Sequence, residues 1–242
     1  MAATEGTEGT ENADRKGRVV RIAVIDSGVH ASHPHIGGIA GGIGIDEHGM
    51  PHDDYVDRLG HGTAVTAAIR EKAPDADIFA IKVFDRELAA TGNALVAACE
   101  YALTLPAQIV NLSLGTQNPE HEPTLTAVVK RLCDSGAIVI AAGEQGGIRW
   151  LPGSIAGVWA VTLDWTVPRD SCRLDRLGAK GASFRATGFP RPIPGVPPDK
   201  NLKGLSFAVA NVTGIIAKVI ADDPAGDAAG SVTRAFERGD FA

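Results

Sequence analysis

Short apolar runs rich in β-branched residues alternate with amphipathic stretches along most of the chain. The runs at 19–25, 78–84, 108–114, 137–142 and 158–163 predict β-strands. Several of these runs are apolar on both faces, which is typical of parallel strands covered by helices on each side. The pattern therefore predicts a parallel sheet buried between helical layers.

The stretches between the strands carry helical periodicity. Helices are predicted at 61–72, where Pro74 follows, at 91–103, at 123–134 and in the apolar run that continues from Ser206 to residue 220. Strands that alternate with helices indicate an α/β fold. We expect a three-layer αβα architecture with a mostly parallel central sheet.

Residues 1–17 repeat Thr-Glu-Gly and hold almost nothing to bury, so they are predicted to be a disordered acidic tail. Residues 18–242 are predicted to form a single domain. The glycine-rich stretch 37–49 and the proline-rich stretch 189–198 are interpreted as loops, and the chain after residue 222 as a loose or amphipathic segment. At 242 residues one core suffices without covalent staples.

Composition narrows the classes of partner and compartment. The net charge is −6 with interleaved signs, which argues against nucleic acid. The three cysteines, Cys99, Cys133 and Cys172, have no paired spacing, and free buried thiols favour a reducing compartment. No apolar run is expected to reach membrane-spanning length, and the first 17 residues lack the zones of a secretion signal. The chain is therefore predicted to be cytoplasmic, with no membrane partner.

Three side chains carry candidate chemistry. Asp26 ends the first predicted strand, His61 begins a helix, and Ser206 begins another. A serine at a helix start is, by itself, an ordinary cap. Acid, base and hydroxyl in this chain order, however, match the subtilisin arrangement of the Ser-His-Asp triad. In parallel sheets functional groups gather at the carboxyl ends of strands, where Asp26 is expected.

At the stretches 24–28, 60–65 and 204–214 the sequence resembles the subtilisin-like serine proteases (subtilases, peptidase S8). The resemblance implies that Ser206 is the nucleophile and that His61 takes its proton. Asp26 would then hold the imidazole in the correct tautomer. The flanking glycines Gly60 and Gly62 would let a substrate backbone approach His61, and Gly204 would permit a tight turn before the nucleophile.

The resemblance extends over roughly residues 18–220. Residues 81–84 with 91–93 look like the strand and rim of the family's substrate cleft, and 110–115 resembles its Asn-x-Ser-Leu-Gly strand, whose backbone pairs with an extended substrate. Residues 151–153 resemble the segment after the primary pocket. The substrate-binding residues implied are Thr91, Gly92, Ser113, Leu114, Gly115, Ala142, Gly143, Arg149 and Trp150.

One departure concerns the oxyanion hole, to which the resemblance assigns Ser206, Glu144 and Gln145. The family usually has asparagine at position 144, and its amide donates to the oxyanion. An ionised glutamate has no donor, and losing such a donor costs about 10²–10³ in turnover, a value measured in a subtilisin. Activity therefore requires Glu144 to be protonated, turned away, or replaced in that role by Gln145.

The other departures lie around the pocket, in the nucleophile helix and at the N-terminus. The segment from Glu144 to Leu151 is shorter than usual, and it would form the floor of the primary pocket with Arg149 and Trp150. Arg149 either favours an acidic side chain before the scissile bond or is a solvated surface residue. Ala210 replaces a proline, a change that a helix tolerates. The 17 residues before the first predicted strand are expected to leave no room for a folding pro-segment.

Two groups of residues suggest metals. His30, His33 and His35 lie close together, but His33-Pro34 matches the family's own motif, and no Cys/His spacing supports zinc. An acidic loop either holds calcium or is solvated, without a position-by-position calcium pattern; its residues are Asp46, Glu47, Asp53, Asp54 and Asp57. No cofactor is expected to be required, no metal site is assigned, and calcium remains open.

The main functional hypothesis is a serine endopeptidase that cleaves an extended peptide or protein through an acyl-enzyme. Its small size and remodelled pocket favour processing of a dedicated peptide. Two alternatives stay open. One is a pseudoprotease that binds an extended peptide in the same cleft without cutting it, suggested by Glu144. The other is a peptide ligase or macrocyclase.

Overall fold

The computed structural model describes residues 18–223 and 226–241, so the predicted tail lies outside the described residues. The strands are β1 Arg21–Asp26, β2 Gly41–Ile45, β3 Pro51–His52, β4 Asp77–Lys82, β5 Ile109–Leu112, β6 Ile138–Ala142, β7 Trp159–Leu163, β8 Arg173–Gly178 and β9 Gly181–Ala186. The helices are α1 His61–Lys72, α2 Gly92–Ala102, α3 Glu122–Asp134, α4 Leu205–Asp222 and α5 Ala228–Glu237.

The strands form one nine-stranded sheet in the order β3-β2-β4-β1-β5-β6-β7-β9-β8. Pairing is parallel from β2 to β9, and the two outermost strands pair antiparallel. Helices α1, α4 and α5 bury their apolar faces against one side of the sheet, and α2 and α3 against the other. The predicted three-layer α/β architecture is confirmed.

Successive side chains of β1 point to opposite faces of the sheet, so the strand contributes to the hydrophobic core on each side. Ile22 and Val24 pack beneath α1 and α4, whereas Ala23 and Ile25 face α2 and α3. Because every side chain from Ile22 onward is buried, the strand has no polar face until Asp26 ends it.

Helix α4 corrects one expectation. Leu205–Asp222 has a mean hydropathy of 1.5, so by length and composition it is a candidate membrane span, contrary to the expectation that no run is long enough. In this structure 61% of that window is buried, and α4 contacts α1, α5 and four strands. Within the described residues it is the central core helix of one face of the sheet.

Candidate active site

The acid and the base meet where β1 ends and α1 begins. Asp26 is 1% exposed, and its Oδ1 lies 2.7 Å from His61 Nδ1 and accepts a second hydrogen bond, also 2.7 Å, from the Ser27 amide. A buried carboxylate only accepts hydrogen bonds, so His61 Nδ1 donates and Nε2 is left as the acceptor. The pair therefore fixes the tautomer in which the imidazole takes a proton at Nε2.

Gly62 allows this approach. A Cβ added at Gly62 would stand 2.2 Å from the carbonyl oxygen of Gly28 and 3.2 Å from Asp26 Cβ. Only glycine lets the first turn of α1 pack so closely on the end of β1. The structure thus gives Gly62 a role in packing within the chain, and its role in the approach of a substrate backbone stays a prediction.

Asp57 is buried and forms the centre of the loop before His61. Its carboxylate accepts five hydrogen bonds, two from hydroxyls and three from amides. The donors are Ser27 Oγ at 2.8 Å, Leu59 N and Gly60 N at 2.9 Å, Thr63 N at 2.8 Å and Thr63 Oγ1 at 2.6 Å. The neighbours of the acid and of the base are thus tied to one carboxylate. The sequence suggested only an acidic loop here, and the offset of four residues before His61 was the signal available.

The environment of His61 favours its charged form. Burial opposes the imidazolium, but the hydrogen bond and negative charge of Asp26, with the charge of Asp57, outweigh it and raise the pKa of His61. The ring also lies 5.6 Å from that of Phe207, centroid to centroid. His61 is thus held from below by a carboxylate and from the side by an aromatic ring.

A buried polar chain places the helix that carries Ser206. Thr213 Oγ1 donates to Asn111 Oδ1 at 2.9 Å, Asn111 Nδ2 donates to Ser113 Oγ at 3.0 Å, and Ser113 Oγ donates to the Ser206 carbonyl at 3.0 Å. Thr213 stands about two turns below Ser206 on α4. The end of β5 therefore holds α4 at two points. Sequence reasoning assigned Ser113 to substrate binding and missed this chain.

Ser206 and His61 line the same cleft, which has a volume of about 310 Å³. Ser206 is the second residue of α4, and the N-cap Gly204 has a φ of 150° and a ψ of −173°, an extended conformation that favours glycine. Among the described residues no hydrogen bond joins Ser206 Oγ to His61. The structure brings all three candidate side chains to one edge of the sheet, with the Asp26–His61 contact formed.

Most of the expected substrate-binding residues line this cleft, and a few do not. Those that do are Thr91, Gly92, Ser113, Leu114, Gly115 and Trp150. Ala142 and Gly143 lie outside the lining, and the Gly143 amide donates to the Val161 carbonyl at 2.8 Å. Arg149 is exposed and forms two hydrogen bonds to Glu122, at 2.8 and 2.5 Å. The structure therefore does not bring Arg149 to the cleft.

Comparison with known proteins agrees with this geometry. The model of the subtilase family, peptidase S8, matches residues 17–164. The chain belongs to the subtilase family. A thermostable alkaline protease of Halalkalibacterium halodurans is 32% identical over 225 residues, 84% of this chain and 57% of that protein. An intracellular serine protease of Paenibacillus polymyxa is 33% identical over 144 residues, and subtilisin E of Bacillus subtilis is 29% identical over 137, in each case 54% of this chain.

The match covers 43% of the intracellular serine protease and 35% of subtilisin E. With the 57% of the alkaline protease, the chain spans roughly a third to three fifths of the length of these curated subtilases. The relatives are named as proteases.

The oxyanion side departs from the subtilase pattern. Glu144 is exposed, and Gln145 is engaged elsewhere, since its Oε1 accepts from the Leu163 amide at 2.7 Å. Neither residue lines the cleft. Their assignment to the oxyanion, together with that of the Ser206 amide, stays a prediction.

Two of the candidate metal ligands, Asp54 and Asp57, make hydrogen bonds or ion pairs within the protein. In the described part of the chain no three His, Cys, Asp or Glu side chains form a ligand group. Asp57 accepts the five hydrogen bonds given above, and Asp54 pairs with Arg58 at 2.7 Å and with the buried Lys82 at 3.3 Å. Calcium binding stays an expectation that nothing here tests.

The cysteines are free thiols. Burial raises the pKa of Cys99 and of Cys172 to about 12, and burial also raises the pKa of the half-buried Cys133. These thiols therefore stay protonated and unreactive at neutral pH. None of them lines the cleft.

Proposed function

We propose that this subtilase is a serine endopeptidase that cleaves extended peptides through an acyl-enzyme. The observation that carries the proposal is the 2.7 Å contact between Asp26 and His61 at the wall of a cleft that also holds Ser206. A buried acid, an oriented base and a hydroxyl at a helix N-terminus are the parts that acyl transfer needs.

In this proposal Ser206 Oγ attacks the scissile carbonyl carbon and its proton passes to His61 Nε2. His61 then gives that proton to the leaving amine, and a water repeats the sequence to release the acid. Asp26 stays ionised throughout and stabilises the imidazolium. The Ser206 amide, at the positive end of the α4 dipole, would donate to the oxyanion.

The finer expectation is a dedicated peptide-processing protease in a reducing compartment. The cleft of about 310 Å³, bordered by Trp150 near the end of the short 144–151 segment, favours a narrow substrate range. The free buried thiols and the likeness to an intracellular serine protease support the compartment.

A second candidate, a pseudoprotease that binds a peptide without cutting it, is favoured by two observations. The position usually held by an oxyanion donor carries Glu144, and in the described structure Ser206 Oγ makes no hydrogen bond to His61. In this case the cleft would bind an extended peptide along residues 113–115 by backbone pairing.

A fluorophosphonate probe separates the two, because it reacts only with an activated serine. We expect stoichiometric labelling at Ser206, located by mass spectrometry, and none in Ser206→Ala. Ser171→Ala, a serine outside the cleft, is the matched control and should label fully. Absence of labelling in a folded protein would support the pseudoprotease and refute the peptidase. Product analysis of a peptide digest would then show whether the acyl group goes to water or to an amine.

A further inference from the structure

Trp150 closes one end of the cleft. A Cβ added at Gly115 would stand 3.5 Å from both Cβ and Cε3 of Trp150, so the indole lies directly against the Gly115 backbone. Next to it, Thr116 and Leu151 exchange two backbone hydrogen bonds of 2.9 Å. The space between these two segments is therefore filled by chain and indole rather than left open.

The indole of Trp150 is fixed by its packing and forms a wall of the cleft. Trp150 is half-buried and packs against the same core cluster as Phe207 and Ala208 of α4. A tryptophan fixed on one side by the core and on the other by a backbone loses little freedom when a ligand arrives. It cannot swing aside without leaving that packing.

The wall stands close to the nucleophile. Ser113 Oγ bonds the Ser206 carbonyl at 3.0 Å, and Gly115 lies two residues further along, about 7 Å in extended chain. A peptide that pairs with residues 113–115 while its carbonyl carbon sits at Ser206 Oγ would direct its acyl-side side chain toward the segments that hold Gly115 and Trp150. We call this side chain P1.

We propose that Trp150 is the specificity-determining residue of the cleft and limits P1 to glycine or alanine. This inference rests on the proposed peptidase function. Because the Leu151 carbonyl and the indole already pack against Gly115, a P1 side chain larger than a methyl group would have to displace an anchored ring. Each additional methylene at such a site discriminates by about 10–200-fold.

The test uses diphenyl phosphonate esters of glycine, alanine, leucine and phenylalanine, which phosphonylate an activated serine and lose phenoxide. Their P1 groups differ, so the labelling rates at Ser206 report P1 preference without a known substrate. We expect the glycine and alanine esters to react at least about tenfold faster than the other two. Faster reaction of the leucine or phenylalanine ester would overturn the inference, because it would mean that the indole receives a large side chain.

Substitutions of Trp150 test whether the indole causes the P1 preference. Trp150→Ala should raise the rates of the leucine and phenylalanine esters at least about tenfold relative to glycine, with Trp150→Phe in between. Trp165→Ala, an exposed tryptophan outside the cleft lining, is the matched control and should leave the ratios unchanged. A Trp150→Phe protein that is folded and labelled but keeps the wild-type ratios would contradict the assignment.

The two proposals fail separately. The fluorophosphonate carries no P1 side chain, so its failure to label Ser206 refutes the peptidase function itself. Full fluorophosphonate labelling together with a preference for large phosphonates refutes only the role of Trp150.

Discussion

The two sides of the cleft are built differently. On the acid–base side Asp26 is buried, His61 is 12% exposed in its side chain, and Asp57 joins their neighbours through five hydrogen bonds. On the opposite side the segment 144–149 is mostly exposed, and its Arg149 pairs with Glu122 at the surface. Trp150, which follows that segment, packs against the core, and Gln145 within it accepts a hydrogen bond from the Leu163 amide.

The two sides of the cleft meet two different requirements of an active site, proton transfer and substrate recognition. A proton relay needs atoms held to within a few tenths of an ångström, and buried hydrogen bonds supply that accuracy. Recognition of a substrate needs a binding surface of defined shape, which one anchored ring can provide while the rest of the segment is exposed. We therefore expect substitutions on the acid–base side to cost turnover or stability, and those on the loop to change preference or to do little.

The largest expected effect comes from Asp26→Asn. An amide at this position leaves the shape intact but favours the wrong imidazole tautomer, so turnover should fall roughly 10⁴-fold. Fluorophosphonate labelling rates and peptide turnover measure it, with the unfolding temperature as a check on folding. Retention of near-normal turnover would mean that the 2.7 Å contact is structural only.

Glu144→Asn tests the exposed segment 144–149 with a substitution that could raise turnover rather than lower it. If position 144 faces the oxyanion, a restored amide donor should raise turnover by up to about 10²–10³-fold. Since Glu144 is exposed and outside the cleft lining, the competing expectation is no change. Steady-state kinetics distinguish them, and unchanged kcat would remove residue 144 from the oxyanion hole.

Asp57→Asn should lower the free energy of unfolding by about 2–3 kcal/mol. The new NH₂ group would face amide and hydroxyl groups that now donate hydrogen bonds to the carboxylate. Because a donor cannot bond to a donor, some of these buried groups would lose their hydrogen bonds. Denaturant unfolding measures the loss. Asp53→Asn, an exposed neighbour in the same loop, is the control and should stay near wild type. Equal stability of both variants would show that the buried network carries little weight.

The same variant should move the pH dependence. His61 acts as a base only when neutral, so activity falls as the pH drops through its pKa, which the structure holds above the ordinary value. Removing the Asp57 charge withdraws one support of the imidazolium and lowers the pKa of His61. The acid limb of kcat/KM should shift to lower pH. A shift to higher pH would contradict the electrostatic role given to Asp57.

The smallest effect belongs to Arg149→Ala. Its ion pair with Glu122 is exposed, so the free energy of unfolding should change by less than about 1 kcal/mol. The rates with the phosphonate series should be unchanged, because Arg149 does not reach the cleft. An aspartate phosphonate ester should be added to the series, and a gain or loss of reactivity toward it in Arg149→Ala would place Arg149 in the specificity pocket.

Strong periodicity made much of the fold predictable. Helix α1 was predicted at 61–72 and begins and ends there, and the five predicted strands lie within two residues of β1, β4, β5, β6 and β7. Strand β2 was interpreted as part of a glycine-rich loop. A Cβ at Gly42 would stand 2.4 Å from the Tyr55 ring, and one at Gly44 would stand 2.0 Å from His52, so partners distant in sequence explain the glycines. Strands β3, β8 and β9 also escaped prediction, whereas α5 matches the amphipathic one of the two interpretations given for the chain after residue 222.

The sequence by itself determined the layered α/β fold and the order of acid, base and hydroxyl, because both follow from local periodicity and from motifs a few residues long. It also suggested which loop would border the pocket. Only the tertiary structure decided what Asp57, Ser113, Arg149 and Trp150 touch. Each of these residues contacts a partner far along the chain, and such contacts arise from packing that no local pattern encodes.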